Sequence, residues 1–286
     1  MESKNIAITR KAYLVYLKII NFLFRRYLKY KSKIAAKPPL EILVSKQKGW
    51  QKSLQTGFAN TQHKVTYAEF SVDNIGNFDL VIPLNLDDSY FLNQHSDYIQ
   101  NNLIPVASSE SIALCDDKIR FNAFMLDNGF SRYIPALDCA PHLPFIVKKR
   151  IDVFGHNSHL VQTEADRTKF AQQIADPDFF TQALVLGNRE YATHIYFHRG
   201  KIQYSLNIEY LFDKALPIKG QDKALTRTVC RSRFLTLFSK ILAAIEYEGI
   251  CCINYKIENG EPMILEINPR VGGSFCEYIY ALVDRL

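Results

Sequence analysis

The sequence predicts a small parallel α/β domain followed by an α+β region, and three observations carry that reading. Strand-like apolar runs alternate with helical ones up to about residue 107. Beyond Pro135, segments with period-two alternation follow one another across short turns. Two helical stretches interrupt them, Glu164–Ile174 and Arg231–Tyr247. Strand–helix alternation implies a parallel sheet with crossover helices, and consecutive strands imply antiparallel pairing. The 286 residues suffice for two domains, placed at 1–110 and 111–286. With 48% apolar and 22% charged residues the chain has the balance of a globular protein with a sizeable core, which excludes disorder, collagen and a disulfide-stapled miniprotein.

The net charge of +6 is unevenly distributed. Residues 1–37 hold ten Lys and Arg against Glu2 alone, a net +9, and the remainder is mildly acidic at −3. A nucleic-acid binder more often carries its charge on the folded domain, so no nucleic-acid partner is expected. Asn5–Thr9 reads as a short strand, and Lys11–Lys31 as a helix packed on the first domain. Ala12–Phe24 is apolar except for Lys18 and Asn21, but its thirteen positions fall short of the roughly 20 that span a bilayer. A peripheral contact between residues 11–31 and an anionic membrane surface is the alternative to packing. The six cysteines form no CxxC pair and have no histidine at zinc spacing, which suits reduced thiols in a cytoplasmic protein.

Pro38-Pro39 ends the helix. Glu41–Ser45, Lys64–Phe70 and Asp79–Leu84 read as strands, Asp88–Asn101 as a helix and Ile104–Ala107 as a short strand. Asp116 and Asp117 open a helix that runs through Leu126 and stops at Asn128-Gly129. Phe145–Arg150, Gln182–Leu186, Tyr191–Phe197, Lys201–Asn207, Cys251–Ile257 and Pro262–Asn268 read as strands. The helix over Arg231–Tyr247 presents Phe234, Leu237, Phe238, Ile241, Leu242 and Ile245 on one face.

The most informative stretch runs from Cys251 to Arg270. Asn259-Gly260 marks a hairpin turn, and loop length decides which side chains share a face. A two-residue loop pairs Glu258 with Glu261, sets Asn254 across from Leu265 and mixes polar with apolar residues on both faces. A three-residue loop over Glu258–Gly260 pairs Ile257 with Glu261. It gathers Ile253, Tyr255, Ile257, Met263, Leu265 and Ile267 on a core face, and Asn254, Lys256, Glu266 and Asn268 on the other. The clean segregation selects the three-residue loop. Side-by-side oxygens from Asn254, Glu266 and Asn268 suit Mg²⁺, which takes one or two carboxylates plus phosphate oxygens. On spacing alone the same pattern also fits the solvated face of an antiparallel strand. Arg270 follows, beside Val271-Gly-Gly-Ser274, where glycines permit close backbone approach and a guanidinium suits carboxylate or phosphate. No Ser-His-Asp or Cys-His arrangement is legible.

These residues resemble the closing motif of the ATP-grasp superfamily, here Glu266-Ile-Asn-Pro-Arg270 and Gly272-Gly-Ser274. Asp117-Lys118 resembles the start of the helix before the first ATP-grasp strand, and Pro144–Lys148 the strand whose lysine contacts ATP phosphates. Gln182-Ala183-Leu184-Val185, followed by Gly187 and Glu190, is similar to the adenine hinge and the ribose-binding acid. The resemblance spans about residues 101–286. It implies a pre-ATP-grasp α/β domain followed by an ATP-grasp domain of two α+β subdomains. It further implies a nucleotide site of Lys118, Lys148, Gln182, Ala183, Leu184, Val185 and Glu190, a metal site of Asn254, Glu266 and Asn268, and catalytic roles for Lys148 and Arg270. The cofactors implied are ATP and Mg²⁺, or Mn²⁺ in its place. The activity implied is an ADP-forming carboxylate–amine ligase that acts on small molecules through an acyl phosphate. Two alternatives stand beside it: another ATP-grasp chemistry (carboxylation, carbamoyl phosphate formation, phosphoryl transfer) and a nucleotide-binding module without catalysis. Three departures bear on them. The phosphate-covering loop, Val153–Ser158, has one glycine; Asn254 is neutral where the family usually has an acid or an amide; and only Phe275–Leu286 follow Ser274, so the expectation is either a truncated chain or one that needs a second copy or a partner chain.

Overall fold

The computed structural model describes residues 2–34, 38–140, 142–152 and 155–286. Helix α1 (Glu2–Ile34) is continuous, so Asn5–Thr9 is helical and not a strand. No Gly or Pro interrupts residues 2–34, and five alternating residues fit little more than one helical turn equally well. The helix packs through a narrow stripe, with Leu17 and Asn21 buried and Phe24 and Leu28 partly so. Lys29 donates to the carbonyls of Thr56 and Ala59 at 2.8 and 3.2 Å. Arg25 pairs with Glu277.

Strand β1 (Glu41–Val44), helix α2 (Gln51–Phe58), β2 (Lys64–Tyr67) and β3 (Leu80–Ile82) follow. They form a parallel three-stranded sheet in the order β2-β1-β3. Central β1 is buried on both faces, hence its unbroken Ile42-Leu43-Val44. Helix α3 (Leu86–Gln94) starts where the Asn85 side chain accepts from the Asp88 N–H at 2.8 Å. Ile104–Ala107 is not a strand. The Asn102 side chain takes the edge of β3 in its place, accepting from Val81 N at 2.9 Å and donating to Ile104 O at 2.7 Å, and Pro105 has no N–H to offer a ladder.

The helix expected to open at Asp116-Asp117 is α5 (Lys118–Asp127), and a further helix that was not expected, α4 (Ser109–Asp116), precedes it and ends at Asp117. Asp117 caps α5 by accepting from Ile119 N and Arg120 N at 3.1 and 3.2 Å. Strand β4 (Phe145–Lys149), β5 (Ser158–Val161), helices α6 (Glu164–Lys169) and α7 (Ala171–Ala175), and β6 (Phe179–Ala183) form an antiparallel unit in the order β5-β4-β6. A larger antiparallel sheet, β11-β10-β7-β8-β9, comprises β7 (Arg189–His198), β8 (Lys201–Leu211), β9 (Thr226–Cys230), β10 (Gly249–Glu258) and β11 (Glu261–Asn268). Helix α8 (Leu235–Ala244) lies before β10, and the short α9 (Tyr280–Val283) near the end. Strands β5 and β9 were not legible in the sequence.

Asn21 of α1 reaches the outer edge of β9. Its amide donates to Arg227 O at 2.7 Å and accepts from Val229 N at 3.2 Å. One face of the large sheet packs on Phe238, Ile241 and Leu242 of α8 and Phe121 and Met125 of α5. The other side shares a core with the parallel sheet, where Ile42, Val44 and Ile82 join Cys252 and Phe275. The fold is thus a mixed α/β structure with one parallel and two antiparallel sheets among the described residues. Among those residues no helix is long and apolar enough to cross a membrane.

Candidate active site

The hairpin β10–β11 corrects the expected turn and keeps the expected face. Glu258 pairs with Glu261, so the loop has two residues, Asn259 (φ 51°) and Gly260 (φ 82°), as a type I′ turn requires. Tyr255 then pairs with Ile264, and a bulge at Leu265 shifts the register so that Asn254 faces Glu266. The extra residue exchanges the faces beyond it. Ile264 therefore lies in the core with Ile253, Tyr255 and Ile267, and Met263 and Leu265 do not, contrary to expectation. Asn254 Nδ2 donates to Glu266 Oε1 at 2.7 Å, and Asn268 Nδ2 donates to the same oxygen at 3.0 Å.

These side chains line a cavity of about 420 Å³ between the β4–β6 unit and the large sheet. Lys118, the first residue of α5, brings its Nζ to 3.5 Å from Glu266 Oε2 and donates to Asp152 O at 3.2 Å. Burial alone would raise the Glu266 carboxyl. The charges of Lys118 and Lys219 and the two amide hydrogen bonds outweigh it and hold the group down at about 2.

Lys148 of β4 donates to Gln182 Oε1 at 2.8 Å, and Gln182 Nε2 is 3.3 Å from Pro135 O. Gln182 is 1% exposed and does not line the cavity, unlike every other expected site residue; it positions the Lys148 ammonium from behind. Burial, together with the charges of Lys118 and Lys256, lowers Lys148 to about 8 despite Glu266 and Glu190. Ala183, Leu184 and Val185 run along one wall. Lys256, read in the sequence only as a member of the polar face, braces that segment by donating to Val185 O and Gly187 O at 3.0 and 3.1 Å.

Lys219, Trp50 and Arg227 also line the cavity and were missed. Lys219, in the connection between β8 and β9, lies 3.3 Å from Glu190 Oε1, donates to Asn254 Oδ1 and sits 4.8 Å from the centre of the Tyr210 ring. Burial disfavours its charge, but Glu190 and the other neighbouring groups overcome this and keep it protonated. Trp50, just before α2, stacks under Arg270 with the guanidinium 5.2 Å from its ring centre. Arg270 also points a nitrogen at Asn268 Oδ1 at 3.4 Å. None of the three missed residues had a motif to announce it. Behind the glycine pair, His194 meets Ser274 Oγ at 2.8 Å and stacks on Phe275, and burial lowers it to about 3, so it is neutral. Val153 and Phe154 of the expected covering loop lie outside the described residues. Its remainder is tied to the Lys219 connection, since Gln221 Nε2 donates to Gly155 O at 2.6 Å and Ser158 O at 2.9 Å.

The sequence matches no protein-family model and no curated protein. Solved structures do match. A D-alanine–D-alanine ligase from Bacillus anthracis superposes with a TM-score of 0.59 at 12% identity, over 86% of this chain and 95% of the ligase. A phosphoribosylamine–glycine ligase from Thermotoga maritima gives 0.62 at 14% identity, over 83% and 70%. An N5-carboxyaminoimidazole synthase from Aspergillus clavatus, in complex with ADP and an aminoimidazole ribonucleotide, gives 0.57 at 13% identity, over 82% and 71%. This is the ATP-grasp fold. In ATP-grasp terms, the cavity lies where the small β4–β6 unit faces the large sheet.

The donor set of this cavity bears on the implied cation. Among the described residues no group of three His, Cys, Asp or Glu side chains could hold a metal ion. Glu266 is the one carboxylate beside two amides, and its Oε2 already faces Lys118. Such a set fits Mg²⁺ that arrives with phosphate oxygens to complete its shell.

Proposed function

We propose that the chain is an ATP-dependent ligase that joins a small carboxylate to an amine, with ADP and phosphate as products. The charge of the cavity carries the reading. Among the described residues its lining holds six cationic side chains (Lys118, Lys148, Lys219, Arg227, Lys256 and Arg270) against two carboxylates, Glu190 and Glu266. This excess of cations around one cavity suits an anion with several negative charges, as a nucleotide triphosphate has.

In this reading Lys148 neutralises the inner phosphates, and the Ala183–Val185 backbone, braced by Lys256, meets the base. Glu190 accepts from a ribose hydroxyl. Glu266 with Asn254 and Asn268 would hold Mg²⁺, which draws charge from the terminal phosphates. Arg270, fixed by Trp50, steadies the carboxylate or the transferring phosphoryl group. A carboxylate oxygen bonds to the γ-phosphorus as the bond to the β–γ bridging oxygen breaks, which releases ADP. The amine nitrogen then bonds to the acyl carbon, phosphate leaves, and the amine proton passes to solvent.

With a panel of small acids, ATP and Mg²⁺, the enzyme is expected to release ADP and phosphate, and added hydroxylamine to trap a hydroxamate from the right acid. AMP as the stoichiometric product would overturn the mechanism. The neutral Asn254, held by Lys219, favours one second reading, a nucleotide-binding module without catalysis. ADP binding with no turnover for any acid would select it.

Lys148 makes nucleotide binding pH-dependent. Its charge in the free protein is lost as pH rises through about 8, whereas bound phosphate oxygens would restore it. ADP binding above pH 8 should therefore take up a proton, and affinity should fall by up to about tenfold per pH unit. Calorimetry in buffers of different ionisation enthalpy measures both. Affinity constant from about pH 7 to 10 would place Lys148 away from the phosphates.

A further inference from the structure

The geometry points to helix α1 as a docking surface for an anionic lipid bilayer, with the helix lying flat in the headgroup region. Its buried stripe, Leu17, Asn21, Phe24 and Leu28, recurs at i, i+4, i+7 and i+11 and uses one side of the helix. On the opposite side Tyr16, Ile19, Leu23, Tyr27 and Tyr30 recur at i, i+3, i+7, i+11 and i+14, the spacing of a second face. Each of these five is between 51 and 65% exposed, as is Phe22 beside them. So many large apolar and aromatic side chains along one exposed helix form a patch, which a monomeric surface rarely carries without a partner.

The rim of the patch identifies the partner. On a helical projection, exposed Lys11, Lys18 and Arg26 run along one border and Lys31 along the other. Arg26 and Lys31 fold over the rings of Phe22 and Tyr27, at 5.7 and 5.3 Å from their centres, so apolar bodies and cationic tips lie side by side. This is the arrangement of a helix that buries its apolar face below the headgroups and sets its cations against lipid phosphates. The net +9 of residues 1–37, against −3 elsewhere, supplies the charge complementarity. A basic face for nucleic acid would not need Ile19 and Leu23. A second copy would have to bring the same cations together. The helix expected over Lys11–Lys31 does pack, but chiefly against β9 and α9 and through one stripe, and most of its large apolar side chains face outward.

Co-sedimentation of the full chain with vesicles tests the assignment, since it needs no nucleotide and no turnover. Partition into phosphatidylcholine vesicles containing phosphatidylserine should exceed partition into phosphatidylcholine alone by roughly tenfold or more, and should weaken with salt. The double substitution Leu23→Asp with Tyr27→Asp should reduce it at least tenfold with an unchanged melting temperature, because both side chains are exposed. Lys18→Glu with Arg26→Glu should remove the preference for the anionic lipid. Equal partition into both vesicle types, or none into either, would overturn the proposal. A dimer in light scattering that Leu23→Asp dissociates, with no vesicle binding, would assign the face to a second copy, and retention by RNA with no vesicle binding would assign it to nucleic acid.

Discussion

Glu266→Gln is expected to lower turnover by roughly 10²–10³, the loss typical of one preorganised electrostatic partner, about 2.7–4 kcal/mol. The amide keeps the shape and one oxygen, so the loss isolates the charge. Lys118 and Lys219, relieved of that carboxylate, remain to attract phosphate, and ADP affinity without Mg²⁺ should hold or rise. Retained ADP binding with lost turnover therefore separates a catalytic role from a folding defect. The carboxylate also has a signature in stability. Its folded value near 2 lies below the usual 4.5, so it stabilises the fold above about pH 4.5, and that contribution is lost as pH falls toward 2. Denaturant midpoints of the variant and the parent should thus differ at pH 7 and converge in acid. Unchanged turnover would remove Glu266 from the active site.

The largest effect on stability is expected at Gly249, the first residue of β10. Its φ is +95°, and a β-carbon there would stand 2.4 Å from Pro105 O and 3.4 Å from Ala107 N. Both obstacles are backbone, so no side-chain rotation relieves the clash, and the positive φ adds strain of its own. Gly249→Ala should cost about 3 kcal/mol or more, roughly 6–12 °C in melting temperature for a chain of this size. Gly260→Ala is the control, since its turn also has a positive φ, +82°, but nothing lies within 4 Å of a β-carbon there; it should lose only about 1 kcal/mol. Equal melting losses in the two variants, read by calorimetry, would show that the 105–107 segment yields freely.

Local pattern revealed as much of this molecule as local pattern can. Strands β1, β2, β3, β4, β7, β8, β10 and β11 announced themselves by burial or alternation, and Asp117 by its place before a helix. The hairpin shows how a right placement can rest on a wrong reason. Parity was read correctly for Asn254, Glu266 and Asn268 because hydrophobic segregation reports which side chains share a face. It cannot distinguish a longer loop from a tight turn followed by a bulge, since both displace the strand by one residue. Lys219 and Trp50 reach the cavity from connecting segments, where neither has a periodic signal, and only the packing of distant elements brings them there. Strand β9 is short and opens on three polar residues in a row, Thr226-Arg227-Thr228, so it shows no alternation, and Asn102 occupies the edge where a strand was expected.

The pairing of Asn21 with β9 has a consequence for how the protein must be handled. A five-stranded antiparallel sheet ends in an unpaired edge, and such edges recruit strands from other chains. Here the Asn21 side chain makes to Arg227 and Val229 the two bonds that a neighbouring strand would make. The helix that carries it lies across the rest of that edge. Cutting α1 away would therefore expose a template for self-association, and a shortened chain that sediments would do so by aggregating, with or without vesicles. The helix is a guard against edge-to-edge pairing as well as a surface, and substitutions on its outer face separate the two roles where truncation merges them.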